Sequence, residues 1–320
     1  MEALMTGRIA VLGGGPDAER EVSIESSTAV TKGLVDAGLD AKLHLIDRPD
    51  SLAHIEADVI VPVLHGRWGE GGALQDILER DGRPYVGCGP RAARVCMDKF
   101  AAKLEAARLG IRTAPAQLLN IKDRVDMPLP YVIKPALEGS SVGLHICHTK
   151  QDAERAFESS LADVHANLGQ VVIVEKMIIG REVTSPVIER DGKLEALPLV
   201  SIEPAEGIYD FEAKYKRDDT VYTVEPEGVD IEAIQSDTLR FAEAIGIRHL
   251  ARVDFIVDGQ GDHWFLEANT MPGFTAHSLV PQAAARGGLP MPDLCAHLAK
   301  SACSGPERAL GASHSSLKPC

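Results

Sequence analysis

Two short runs near the end of the chain, Arg252-Val253-Asp254 and Glu267-Ala268-Asn269, flank the stretch Asp258-Gly259-Gln260-Gly261-Asp262. Apolar alternation on either side of such a turn predicts a β-hairpin. Folded back at Gln260-Gly261, it sets Asp254 opposite Glu267 and Arg252 opposite Asn269. Side chains alternate across a strand. These four polar groups therefore share one face, and Val253, Phe255, Val257, Trp264, Leu266 and Ala268 take the other. One face is core and the other is chemistry. Two carboxylates and an amide carbonyl are hard oxygen donors, a set that suits Mg2+ held together with substrate phosphates. The competing explanation is a solvated face, but such a face rarely consists of only two acids, an amide and an arginine.

A chain of 320 residues, 45% apolar and 25% charged, has room for two or three globular domains. Its formal charge of −14 argues against broad electrostatic binding of nucleic acid or anionic membrane. The first residues lack the basic-then-apolar pattern of an export signal, and no apolar run reaches membrane-spanning length. A cytoplasmic protein is expected. The six cysteines form no CxxC pair, so reduced thiols are expected and a structural zinc site is not.

The chain opens with an apolar strand from Arg8 to Leu12, the turn Gly13-Gly14-Gly15-Pro16, a helix over 19–37, and strands at 41–46 and 59–64. That order predicts an open parallel α/β domain, with ligands beyond the C-terminal strand ends, where the glycine turn and His65 lie. A dinucleotide fold is the obvious alternative, from the loose pattern Gly13, Gly15, Ala18. It fails on two counts. Asp47 is too far along for a ribose-binding acid, and Glu19 and Glu21 place negative charge where a pyrophosphate would sit. A carboxylate there suits an ammonium ligand better, although Glu19 also reads as a favourable first-turn charge. The run from His65 to Gly72 is too glycine-rich for an element interior, and a break over 88–95 marks a domain boundary. Helix is expected over 98–109, and Pro115 with Pro128-Leu129-Pro130 brackets a linker.

Lys134 then ends a strand beside Glu138-Gly139-Ser140-Ser141-Val142-Gly143. A lysine next to a glycine- and serine-rich hairpin is a phosphate cradle, though an ordinary exposed hairpin fits as well. Further on come a helix over 151–167, a strand ending at Glu175-Lys176, and a strand pair around Asp191-Gly192. The charged, aromatic stretch 206–220 reads as a surface loop or a lid. A helix over 230–245 precedes the hairpin, and another opens near Ser278. The segment 304–320 is expected to be disordered.

Together these motifs resemble the D-alanine–D-alanine ligases of the ATP-grasp superfamily, over residues 7 to 300. The matching signatures are Gly14 to Ser23, His65-Gly66 with Gly69-Glu70, Met97-Asp98-Lys99, Lys134-Pro135 with Glu138 to Gly143, Glu212 to Tyr215, Arg252-Val253-Asp254, and Glu267 to Gly273 with His277-Ser278-Leu279. The resemblance implies an α/β ATP-grasp fold with an N-terminal open parallel-sheet domain (1–95), an α+β central domain (96–182) and an α+β C-terminal domain (183–303). It further implies ATP as co-substrate, two Mg2+ or Mn2+ ions, and a homodimer formed through the N-terminal domain. The implied reaction joins two D-alanines into the dipeptide for peptidoglycan precursor synthesis.

By the same likeness, Lys99, Lys134 and Lys214 would hold phosphates, with Glu138, Ser140, Ser141 and Val142 in the loop folded over them. Glu175 and the Lys176 backbone would read adenine and Glu182 the ribose. Asp254, Glu267 and Asn269 would hold the metals. Glu19 would bind the first ammonium and join Ser140 and Tyr215 in a closing set. His65 would lie near the first substrate, Arg252 and Gly273 would form the oxyanion site, and Ser278 with Leu279 would take the second carboxylate. The lid sequence Glu212-Ala213-Lys214-Tyr215 favours an amine acceptor. Where the family often has Asp after the loop glutamate, this chain has Gly71 and Gly72, which predicts a looser loop. The rival readings are a carboxylate–amine ligase with another amino acid in either subsite, and a nucleotide-binding protein without turnover.

Overall fold

A computed structural model describes residues 7–119, 125–166, 171–205 and 219–304. The first strands β1 (Ile9–Gly14), β2 (Ala41–Ile46) and β3 (Val59–Pro62) form a parallel sheet in the order β2-β1-β3, with α1 (Arg20–Asp36) between β1 and β2. Every residue of β1 and β3 is buried, as expected of parallel strands covered on both faces.

The glycine-rich run after His65 is not all loop: Gly66–Gly69 forms one helical turn, α2, followed by α3 (Ala73–Asp81). Asp17 holds that turn, its carboxylate accepting from the Trp68 N–H at 2.8 Å, while the Trp68 side chain is buried. The expected break over 88–95 is also corrected. Residues Pro90–Met97 are helix α4, with proline at its first turn where no N–H is needed. Helix α5 (Lys99–Arg108) follows directly, capped by the Asp98 side chain.

A four-stranded antiparallel sheet comes next, in the order β4-β7-β5-β6, from β4 (Ala116–Leu119), β5 (Tyr131–Pro135), β6 (His145–Cys147) and β7 (Val172–Lys176), with α6 (Lys150–Ala166). Strand β4 lies in the stretch that reads as linker from its prolines. Only its pairing with β7 makes it a strand.

The largest sheet runs β11-β10-β8-β12-β13, with β9 on β8. It contains β8 (Gly180–Arg190), β9 (Lys193–Ala196), β10 (Val200–Glu203), β11 (Val221–Val224), β12 (Leu250–Asp258) and β13 (His263–Asn269). It carries α7 (Ile231–Ile245), α8 (Leu279–Arg286) and α9 (Met291–Cys303). Because β8 already starts at Gly180, a boundary between 182 and 183 would cut the strand.

The packing shows which parts share a core. Ile9, Val30 and Leu34 of the first sheet share one core with Ile188, Val200, Leu294 and Leu298. Ala102 and Ala106 of α5 pack with Val253, Phe255 and Phe265 of the hairpin. The four-stranded sheet has its own core of Leu119, Tyr131, Ile133, Cys147 and Val174. Helix α5 therefore belongs by packing to the C-terminal body, although it lies within 96–182.

The hairpin pairs Arg252 with Asn269 and Asp254 with Glu267, as the sequence predicts. Beyond Asp254 the register shifts, so Phe255 pairs with Phe265 and Ile256 with Trp264. This β-bulge overturns the simple alternation. Phe265, not Trp264 or Leu266, fills the core, stacking at 4.8 Å from Phe241. Trp264 and Leu266 come to line a cavity instead.

Candidate active site

Two adjoining cavities, open to solvent, lie between the sheets. The first is bordered by Glu19, His65, Glu70, Ser140, Arg252, Asn269, Gly273, Ser278 and Leu279. The second is bordered by Lys134, Ser141, Val142, Glu175, Lys176, Glu182 and the apolar group Ile256, Trp264 and Leu266. Lys99, Glu138 and Glu267 line both, so the cavities meet at these three residues. The neighbours Ser140 and Ser141 part company, one on each side.

Glu19 stands at the N-cap of α1 but makes no cap hydrogen bond. Its carboxylate instead accepts from the Ser140 hydroxyl, across 121 residues of chain. Glu19 thus stands at the helix N-terminus and on the cavity wall at once. A Cβ at Gly139 would come within 3.1 Å of both Glu19 oxygens, so a larger residue there would press the carboxylate back by a few tenths of an ångström. Ser140 and Ser141 both hold positive φ, at 51° and 59°, a costly conformation for residues with a side chain. Tyr215 and Lys214 lie outside the described residues.

On the hairpin face, Asp254 is 1% exposed and borders neither cavity directly. It accepts from the Thr184 hydroxyl at 2.5 Å and pairs with Arg252 at 3.2 Å. With its amide oxygen toward that guanidinium, Asn269 accepts from Nε at 3.2 Å and Nη2 at 3.0 Å. Lys99 Nζ sits 3.0 Å from Glu267 and donates to the Glu138 carbonyl at 2.7 Å. Two carboxylates and an amide oxygen on one strand pair, already faced by two cations, fit a hard divalent ion. Among the described residues no cluster of three or more His, Cys, Asp or Glu forms a metal site, because the third donor here is an asparagine.

Glu175 is buried between two lysines, Lys103 on one oxygen and Lys134 at 2.6 Å on the other. The lysines hold its carboxyl below the usual range against the opposing effect of burial. The Lys176 N–H is committed to the Pro115 carbonyl at 2.9 Å. This narrows the expected backbone contact to a base, which would have to use the carbonyl. Ser278 caps α8, and its hydroxyl accepts from the Thr275 N–H at 2.9 Å. The N-terminus of α8, beginning at Leu279, faces the first cavity beside Gly273.

His65 and Glu70 share Met271. His65 Nδ1 bonds the Met271 carbonyl at 3.1 Å, and Glu70 accepts from the Met271 N–H at 3.3 Å and the Gly66 N–H at 3.2 Å. The Met271 carbonyl can only accept, so Nδ1 carries the proton and Nε2, which has no partner among the described residues, is a bare acceptor. Burial, with Arg252 nearby, lowers the His65 pKa to about 4, and burial with Glu19 nearby raises that of Glu70 to about 8. Neutral forms of both are therefore favoured in the fold. As pH falls from 6.5 to about 4, the unfolded chain protonates His65 first, so stability drops. As pH rises from 4.5 to about 8, the unfolded chain ionises Glu70 first, so stability drops again. Glu70→Gln is expected to remove this loss, measured as a flatter melting temperature between pH 4.5 and about 8.

The loop after Glu70 is not slack. The Gln75 side chain accepts from the Gly72 N–H at 2.9 Å and donates to the Gly69 carbonyl at 3.0 Å. A Cβ at Gly71 would meet the Arg67 carbonyl oxygen at 2.3 Å. Gly71→Asp is expected to destabilise by about 1–3 kcal/mol in denaturant unfolding.

Residues 110–300 match the family model for the C-terminus of D-ala D-ala ligase. The D-alanine–D-alanine ligase B of Chromobacterium violaceum is 40% identical over 301 residues, covering 90% of this chain and 95% of its own. The chain belongs to the D-alanine–D-alanine ligase family. The solved D-alanine–D-alanine ligase of Bacillus anthracis complexed with ATP aligns with a TM-score of 0.77 at 27% identity, covering 93% of this chain and 97% of that one. The VanG D-Ala:D-Ser ligase of Enterococcus faecalis aligns at 0.79 with 26% identity, covering 93% and 100%. The architecture is accordingly ATP-grasp.

Against that family frame, the sequence reading passed over Lys103, Thr184, Ile256 and the shared Met271 backbone. Lys103 had a usable signal: it sits four residues after Lys99 on the buried stripe of Ala102 and Ala106, where a lysine is out of place.

Proposed function

We propose that the protein joins two D-alanines at the expense of ATP, releasing D-alanyl-D-alanine, ADP and phosphate. The observation that supports this most is the meeting of the two cavities at Lys99, Glu138 and Glu267. A carboxylate in the first cavity and a terminal phosphate in the second would react there.

The nucleotide base fits the slot formed by Ile256, Trp264 and Leu266, with Glu175 at its edge and Glu182 toward the ribose. Lys99 and Lys134 neutralise phosphates, and the loop with Glu138, Ser141 and Val142 covers them. Asp254, Glu267 and Asn269 would hold Mg2+. Bound there, the ion would offset charge on the phosphoryl oxygens.

In the first cavity the Glu19 carboxylate and the His65 Nε2 lone pair suit the ammonium of the first D-alanine. Its carboxylate attacks the γ-phosphorus, ADP leaves, and an acyl phosphate remains. The second D-alanine lays its carboxylate at the N-terminus of α8, by Ser278 and Leu279. Its amine, after losing a proton, attacks the acyl carbon. Arg252, fixed by Asp254, and the Gly273 backbone take the oxyanion before phosphate departs. Closure by Ser140 with Glu19, extended by Tyr215 and Lys214 of the lid, would exclude water from the acyl phosphate. A dimer through the N-terminal domain and a cytoplasmic setting belong to this reading. Among the described residues no helix is long and apolar enough to cross a membrane.

The test is phosphate release with Mg-ATP and D-alanine, L-alanine, or D-alanine mixed with D-serine, with chromatography of the product. Phosphate matched one-to-one by D-alanyl-D-alanine supports the assignment. A mixed dipeptide formed in preference would move the acceptor to D-serine, and response to L-alanine would overturn the reading.

A further inference from the structure

The buried cluster around Glu175 sets two cations on one carboxylate. Lys103, 3% exposed, donates to one oxygen of Glu175, and Lys134 donates to the other at 2.6 Å. Glu175 is thus the shared anion of two ammonium groups, with the acids Glu182 and Glu267 adding attraction on the Lys134 side. The two lysines differ in access. Lys134 lines the second cavity, whereas Lys103 borders neither cavity. They also ride on different bodies. Lys134 is on β5 of the four-stranded sheet, and Lys103 is on α5, which packs with the hairpin core.

We propose that Lys103 is a positioning residue: the permanent counter-ion of Glu175, which frees Lys134 to leave the glutamate for phosphate when nucleotide enters. This role rests on the reading of the second cavity as a nucleotide site. With phosphate absent, Lys134 is parked on Glu175. With phosphate present it is drawn to the larger negative charge, and Glu175 keeps Lys103. Among the described residues, the charged groups around the pair include no other cation that could take over that duty. Strand β4, paired with β7 at this point, brings Ala116 and Gln117. The remaining charged groups near Lys134 are the acids Glu182 and Glu267.

Without Lys103, departure of Lys134 would strand a buried carboxylate, which takes up a proton rather than remain charged and unpaired. Nucleotide binding would then become coupled to proton uptake. A lysine that serves only to stabilise the fold would not create such coupling.

The experiment is calorimetric titration of the full chain with Mg-ADP between about pH 6 and 9, in buffers of different ionisation enthalpy. It compares the unaltered protein, Lys103→Met, Lys103→Arg, and Lys103→Met combined with Glu175→Gln. Lys103→Met is expected to take up close to one more proton than the unaltered protein. Relative to the unaltered protein its Kd should rise with pH, approaching about tenfold per unit. Lys103→Arg should restore the unaltered profile. The double variant, with both charges gone, should fold and bind without the added slope, and it remains the test if Lys103→Met alone does not fold. Equal proton uptake in Lys103→Met and the unaltered protein would overturn the role, as would a double variant with the same slope as the single. Failure of the unaltered chain to bind ADP would sink the nucleotide reading, and this role with it.

Discussion

Replacing Arg252 with alanine is expected to lower kcat by about 10^2 to 10^3, roughly 3–4 kcal/mol in the transition state, while ADP affinity stays near its original value. The split follows from position. Arg252 borders the first cavity and not the second, and its guanidinium is anchored at 3.2 Å on Asp254 rather than free to follow a ground-state ligand. A donor fixed before the reaction acts on charge that develops during it. Arg252→Lys should recover little, because an ammonium cannot reproduce the planar fork. Steady-state rates alongside ADP titration separate the two effects. A variant with near-normal kcat would remove Arg252 from the oxyanion site.

The second large effect is expected at Asp254. Asp254→Asn keeps the size of the side chain and can still accept from Thr184, but it removes the charge that faces Arg252 and would face a metal. Activity at fixed Mg2+ should fall by two to three orders of magnitude, about 3–4 kcal/mol. Part of that loss should return as Mg2+ is raised, since a weakened ligand set is offset by concentration. Titration of turnover against Mg2+ makes the comparison. A variant with full activity at the original Mg2+ concentration would exclude Asp254 from metal binding.

Much of this site was legible because its chemistry is local in the chain. The hairpin brings Arg252, Asp254, Glu267 and Asn269 together through one turn, so residue alternation alone predicts their pairing. The cradle around Ser140 and Ser141 is likewise one hairpin, between β5 and β6. What escaped depends on distant partners. Strand β4 is a strand only because β7 pairs with it, and its flanking prolines read as linker. The stripe of Ala102 and Ala106 marks Lys103 as out of place, but only the fold brings its partner Glu175, far along the chain, against it. The bulge beyond Asp254 has no mark in an alternating pattern, because Leu266 is as apolar as the residues it displaces. Met271 acts through its peptide N–H and carbonyl, which any residue possesses.

The bulge has a consequence for the length of molecule the site accepts. One strand, β12, carries Arg252 and Asp254 at one end of its exposed face and Ile256 at the other, with Trp264 brought alongside by the shift in register. Arg252 and Ile256 are four residues apart, about 13 Å along the strand. The strand is therefore a ruler, polar at its zero and apolar at its far mark. In the proposed reading the acyl carbon lies at the Arg252 end and the nucleotide base at the Ile256 end, so only two ligands laid end to end fill the ruler. A nucleotide alone, or an amino acid alone, would register at a single end only. Selection by span needs no contact between the two marks, because β12 itself fixes their separation.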